Sequence, residues 1–222
     1  MVNFDCLIPL GSWCRPAFQI NRFRREHGET PISYPFDWCI TPLYSLEKIF
    51  SHSYDINQLS ISMNAWRDSA PKDIKPIDAT TGLIFYHNKT IEEAKGRFLH
   101  TFKNLLSTKE KNNLIFIRWL DTYGHDHRKR WGEDRNPTYE KLIENLKIFV
   151  NNDTFKLIEI ETEYNDVGDL IRDKKQIHDK LIRYILTEPV YVDPVKSDTG
   201  FRGSDKSWDL VLNDIIEDYG KL

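Results

Sequence analysis

Five short runs of the 222-residue chain are almost wholly apolar or β-branched: Phe4–Leu10, Gly82–Tyr86, Asn113–Trp119, Phe155–Ile160 and Val190–Val192. Near-continuous apolar runs fit strands buried on both faces. Between them, apolar residues recur at helical spacing. One stripe is Ile91, Ala94, Phe98, Phe102 and Leu105; a second is Tyr139, Leu142, Ile143, Leu146 and Phe149. A third is Ile177, Leu181, Ile182 and Ile185, and a fourth runs from Trp208 through Val211, Leu212, Ile215 and Ile216 to Tyr219. This alternation predicts an α/β fold with a mostly parallel sheet flanked by helices on both faces, a Rossmann-like or SGNH-like three-layer sandwich. The Phe4–Leu10 strand is expected in the sheet interior. Residues 54–78, with Pro71 and Pro76, read as an irregular excursion from a single α/β domain spanning 1–222. No internal repeat or low-complexity tract interrupts the pattern.

Composition narrows the partners. The chain is 40% hydrophobic and 13% aromatic, enough for a sizeable core, and its net charge is −3. With a pI near 6.2 there is no global electrostatic case for nucleic acid. No apolar run is long enough to span a bilayer, and no charged-then-apolar leader opens the chain. The three cysteines, Cys6, Cys14 and Cys39, are an odd number crowded into the first fifth of the sequence. That argues against a disulfide framework, and a reduced cytoplasm is the simplest compartment.

In open parallel sheets, sites form beyond the carboxyl ends of the strands. The most informative such end is Leu10-Gly11-Ser12-Trp13-Cys14-Arg15-Pro16. Pro16 reads as the first turn of a helix, because the N–H it lacks would have no helical partner there. Cys14 then stands at or just before a helix N-terminus, where free N–H groups and the helix dipole favour a thiolate. It is a candidate nucleophile, and the N–H groups from Ser12 to Arg15 could hold an oxyanion. The competing reading is a small residue packed under the helix. Ser12 could itself be the nucleophile or support the turn. Cys6 and Cys39 read as core.

His87 closes the run Leu83–His87, where a general base would stand; otherwise it caps the next helix or packs on the sheet. His125 and His127 are rival bases, and the His125-Asp126-His127 cluster has too few ligands for a metal site. His27, His52, His100 and His178 read as surface. Asp37, within Tyr34-Pro35-Phe36-Asp37-Trp38, either orients the catalytic histidine or makes a turn, and Asp121 is a second candidate for that orienting role. Trp13, Arg15, Trp38 and Arg118 are candidate substrate contacts beside Ser12. Arg118 closes an apolar strand and must find an anion or a buried partner, for which Asp121 is near enough in sequence. The mixed-charge run Arg128–Arg135 reads as a solvated loop or a grip on a phosphorylated ligand.

Leu10-Gly11-Ser12-Trp13-Cys14-Arg15, Phe18-Gln19 and Tyr34-Pro35-Phe36-Asp37-Trp38-Cys39-Ile40-Thr41-Pro42 together resemble a bacterial family of unknown function labelled putative papain-like cysteine peptidase. The likeness continues more weakly through Phe85-Tyr86-His87, Asn113–Arg118 and Trp208. It implies Cys14 as nucleophile and a histidine, best matched by His87, as base. It also implies a place near surface-polysaccharide biosynthesis as often as near proteolysis. The order of a strand before the cysteine helix is similar to that of serine esterases and capsule-biosynthesis cysteine acetyltransferases. The expectation is therefore a cysteine-dependent acyl-transfer enzyme, hydrolase or acyltransferase, acting on a small-molecule, glycan or peptide substrate. It requires no cofactor or metal, with an acyl-CoA donor as an option for a transferase. The alternative is a non-catalytic or glycan- or nucleotide-handling domain that holds an anionic ligand through Arg15 and Arg118.

Overall fold

A computed structural model describes residues 7–11, 13–65, 74–120, 139–150, 153–165, 168–189 and 203–219. Five strands form the main sheet: β1 (Leu7–Pro9), β4 (Leu114–Leu120), β5 (Phe155–Asn165), β6 (Leu170–His178) and β7 (Leu181–Pro189). Their order is β1-β4-β5-β7-β6. β1, β4, β5 and β7 run parallel, and β6 is antiparallel to β7. A separate antiparallel pair consists of β2 (Ile61–Ala65) and β3 (Ile74–Asp78). The longer helices are α1 (Arg15–Glu26), α2 (Leu43–Ile49), α3 (Ile91–Leu106), α4 (Glu140–Phe149) and α5 (Asp205–Tyr219).

Alternate residues of a strand leave on opposite faces, and β4 shows what each face meets. Leu114 and Phe116 join a core with Leu46, Ile49 and Phe50 of α2, Phe98 and Phe102 of α3, and Leu142 and Leu146 of α4. Ile115 and Ile117 join a second core with Ile20 and Phe23 of α1 and Trp208, Val211, Leu212 and Ile215 of α5. All seven residues of β4 are buried. An unbroken apolar run is what a strand needs when both of its faces are covered. The mostly parallel α/β sheet read from the sequence is therefore present.

Several expected elements fall differently. β1 is an edge strand of the described sheet, paired with β4 alone, not an interior one. It is buried by α1 and by the loop after Gly28, not by a second strand, so its apolarity reports coverage and not strand neighbours. Gly82–Tyr86 is not a sheet strand. It follows a turn that Asp78 locks by accepting from the Thr81 amide (3.0 Å) and hydroxyl (2.6 Å), and only Ile84 forms bridges, to Ile40 and Ile77. The stripe Ile177, Leu181, Ile182 and Ile185 belongs to the β6–β7 hairpin and not to a helix. There the spacing matched a helix by accident: Ile182, Tyr184 and Leu186 share one buried face at strand period, and Leu181 joins the other core. Residues 54–78 contain the β2–β3 ribbon, in which Pro76 pairs with Met63. Val190–Val192 lie outside the described residues.

Phe116 sits at the centre of the first core, 0% exposed, with its ring 5.9 Å from Phe50 and 6.0 Å from Phe155. Phe116→Ala is expected to lower unfolding free energy by about 3–5 kcal/mol. Urea denaturation should register this as a lower midpoint at nearly constant slope.

Candidate functional site

The chain leaves β1 through Gly11, whose φ of +74° is left-handed. A Cβ there would stand 2.5 Å from Thr41 Oγ1 and 3.1 Å from the Phe36 carbonyl oxygen. Glycine alone allows both the backbone angle and the close approach of the 36–41 loop. Cys14 is the N-cap of α1, and the Phe18 amide donates to its carbonyl at 3.0 Å. No acidic residue stands in that first turn, and Pro16 lies within it. Cys14 is half-buried, and Cys39 is buried.

A string of rings leads from this turn to His87. Trp13 meets Tyr86 edge-on with centroids 5.8 Å apart, Tyr86 meets His87 at 5.2 Å, and His87 meets Trp38 at 5.5 Å. Ile40 and Ile84 form a small core under Trp13 and Tyr86. The Gly11–Cys14 turn, the 36–41 loop and the 84–88 loop thus share one surface. His87 is itself exposed. Its partial desolvation, with the positive charges of Arg97 and Lys75, holds its imidazole below the usual histidine range.

Asp37 does what its alternative reading anticipated: its Oδ2 accepts the Tyr34 amide at 2.9 Å and closes the turn. The carboxyl is 1% exposed, and burial pushes its pKa up to about 7 against the Tyr34 hydrogen bond and the charges of Arg24 and Arg97. Burial, and then the charge of Asp37, also push the Cys39 thiol up, while its Sγ points at the Pro35 carbonyl at 3.4 Å. Cys39 is core, as read from the sequence. His27, His52, His100 and His178 are exposed.

Arg15 and Arg118 already have internal partners. Arg15 is 1% exposed; its Nη1 lies 3.2 Å from Glu188 Oε2, and its guanidinium stacks 3.9 Å above the Trp119 ring. Gly203 packs so closely that a Cβ there would be 2.8 Å from Glu188 Oε1 and 3.0 Å from Arg15 Nη1. Burial pushes the Glu188 carboxyl up, and Arg15 opposes that shift. Arg118, also 1% exposed, donates to the Thr41 carbonyl at 2.8 Å and stands in register with Glu159 of β5. Both guanidiniums therefore hold the fold together, which removes the support for an anion gripped by this pair. Ser12, Asp121, His125, His127, Cys6 and the run Arg128–Arg135 lie outside the described residues.

Three residues near the site escaped the sequence. Glu188 had a usable signal, because a carboxylate ending an apolar strand needs a cation, but nothing in the sequence specifies Arg15, 173 positions away. Lys75 and Arg97 carried no signal at all. Their closeness to His87 comes from tertiary packing.

The family described as "Putative papain-like cysteine peptidase (DUF1796)" matches residues 5–125, and the chain belongs to it. That span holds the Cys14 turn, the 34–42 loop, His87 and β4. Membership suggests a cysteine-dependent hydrolase and a small-molecule or peptide substrate. No curated protein and no solved structure matches the chain, and the capsule-biosynthesis acetyltransferases do not enter through these comparisons. Among the described residues, no helix is long and apolar enough to cross a membrane.

Gly11→Ala is expected to destabilise the protein by about 1–3 kcal/mol from the backbone angle alone, with more from the contact with Thr41. Thermal unfolding measures the loss. Adding Thr41→Ser leaves the Oγ1 contact and the angle in place and should restore little.

Asp37 gives a pH signature. Its folded-state carboxyl keeps a proton up to about pH 7, whereas in the unfolded chain it loses that proton near its ordinary value of 3.8. Folding therefore takes up a proton between these values, and this group's contribution makes stability fall as pH rises through the window. Relative to Asp37→Asn, the native protein should lose stability between pH 5 and 7, approaching about 1.4 kcal/mol per pH unit at most. Parallel pH profiles of the two proteins would refute burial of a protonated carboxyl.

Proposed function

We propose that the protein is a cysteine-dependent acyl hydrolase in which Cys14 is the nucleophile and His87 the general base. The observation that carries the reading is the position of Cys14: half-buried, at the N-cap of a twelve-residue helix, just past the carboxyl end of β1. A sulfur there faces the positive end of the helix dipole, which stabilises a thiolate. His87, on the same surface through Trp13 and Tyr86, is held in its neutral form at physiological pH and can accept a proton.

His87 removes the thiol proton as the sulfur attacks the acyl carbon, and the carbonyl electrons move onto oxygen. Amide N–H groups of the turn and of the first helical residues support that oxyanion. The bond to the leaving group breaks, and His87 returns its proton to the departing heteroatom, leaving a thioester on Cys14. Water, deprotonated by His87, attacks the thioester; the acid is released as the Cys14 sulfur leaves and takes that proton back from His87. The buried Asp37 shapes the 34–38 loop on which Trp38 meets His87. It is a positioning residue in this reading.

In the folded protein Cys14 should alkylate with iodoacetamide near neutral pH at least tenfold faster than Cys39, whose thiol is buried and held protonated. Its pH profile should have an acid limb below the ordinary histidine value of 6.5, and that limb should disappear in His87→Gln. Peptide mapping of the alkylated protein reads each site. Equal protection of Cys14 and Cys39 would remove the nucleophile. An unchanged limb in His87→Gln would remove His87 as its base.

A further inference from the structure

We infer that Lys75 and Arg97 form a cationic rim beside His87, selecting acyl substrates that carry an anionic group next to the reacting carbonyl. The inference rests on Cys14 and His87 acting as proposed above. Its support is the placement of Lys75 and Arg97 on β3 and α3 around the 84–88 loop, with the charge each exerts on His87. Lys75 lies on β3, one residue before Pro76, whose carbonyl accepts the Phe85 amide at 3.0 Å. That strand contact carries the Lys75 Nζ to 4.7 Å above the Tyr86 ring, the ring that touches both Trp13 and His87. Arg97 stands on α3. Helix α3 docks on the 84–88 loop through Phe98, whose ring meets Phe85 edge-on at 5.8 Å. The Glu93 side chain reaches back to the Lys89 amide at 2.9 Å, and Arg97 follows on the same helix face one turn later.

The two cations thus come from separate elements, β3 and α3. Both charges bear on His87, and that of Arg97 bears also on Asp37 and Cys39. Asp37 does not cancel Arg97 through most of the acid and neutral range, because its carboxyl is held protonated up to about pH 7. Two positive charges beside a base that must stay neutral disfavour its protonation. Such an arrangement is useful where an anion is to be bound. An arginine pairs a carboxylate or phosphate with directed N–H groups, and a lysine adds a mobile point charge. The shared chemistry is a negative charge a few ångströms from the scissile acyl carbon, whether it belongs to an acidic residue of a peptide or to a small acid.

Cys14 itself reports the local potential when probed with an anionic and a neutral reagent of the same shape. The ratio of its alkylation rate constants with iodoacetate and iodoacetamide is measured on the intact chain at low salt, with Cys14 read by peptide mapping. At about pH 8, above the ordinary histidine range, this ratio in Lys75→Gln/Arg97→Gln should fall about threefold to tenfold, while the iodoacetamide rate alone changes less than twofold. Raising ionic strength should lower the native ratio toward that of the double variant. Lys103→Gln, which removes an exposed charge elsewhere on α3, should leave the ratio unchanged. An equal fall in Lys103→Gln, or no fall in the double variant, overturns the rim. If Cys14 reacts with neither reagent, the nucleophile reading fails first and the rim falls with it.

Discussion

The buried contact between Arg15 and Glu188 is the constraint on which the rest of the site depends. It ties the first residue of α1 to the end of β7, three strands away from β1 in the sheet order. Trp119 of β4 lies beneath the guanidinium, and its indole N–H donates to Thr162 of β5 at 2.8 Å. One side chain therefore gathers the carboxyl ends of three parallel strands under the start of a helix. Removing either member of such a pair commonly costs about 3–5 kcal/mol, because the other is left charged and dry. The strength of the arrangement is positional. It sets the helix start, and Cys14 is the residue immediately before it.

The far end of α1 is secured differently. Arg22 makes ion pairs with Glu26, at 2.6 Å, with Asp205, at 3.2 Å, and with Asp209. Gln19 donates to Asp205 at 2.9 Å. These contacts join α1 to the first turns of α5, over a core centred on Ile20, Phe23, Trp208 and Val211. The cysteine helix is thus held at both ends and along one face. A side chain at the start of such an element keeps its geometry without an ordered loop to hold it. The opposing wall is softer. His87 and Trp38 are exposed and sit on loops, the usual place for groups that must meet a substrate.

Charge is divided between two roles. The deeply buried arginines, Arg15, Arg24 and Arg118, bond to carboxylates or backbone carbonyls inside the fold. Desolvation makes that pairing obligatory. Lys75 and Arg97 lie near the surface, where a charge can act on an arriving molecule at little cost. The same residue chemistry serves cohesion at one depth and, in the proposed rim, selection at another, and burial decides which.

Much of the fold was legible in the residues themselves. The runs around β4 and β5, the stripes of α3, α4 and α5, and the strand–turn–helix at Gly11 to Pro16 are local patterns, and local physics makes them. Periodicity, the missing N–H of proline and the freedom of glycine at φ +74° act within a few residues. So the α/β class and the place of Cys14 at a helix start could be read before any coordinates. Strand order could not. Among the described residues β1 is an edge; burial reports only that a strand is covered, not by what. The Ile177–Ile185 stripe became a hairpin because apolar spacing there suited either period, and pairing with β5 chose the strand. The partners of Arg15 and Arg118, the turn closed by Asp37, and the approach of Lys75 and Arg97 to His87 join residues from separate elements. Sequence distance carries no information about such pairs, because packing of the whole chain, not local propensity, brings them together.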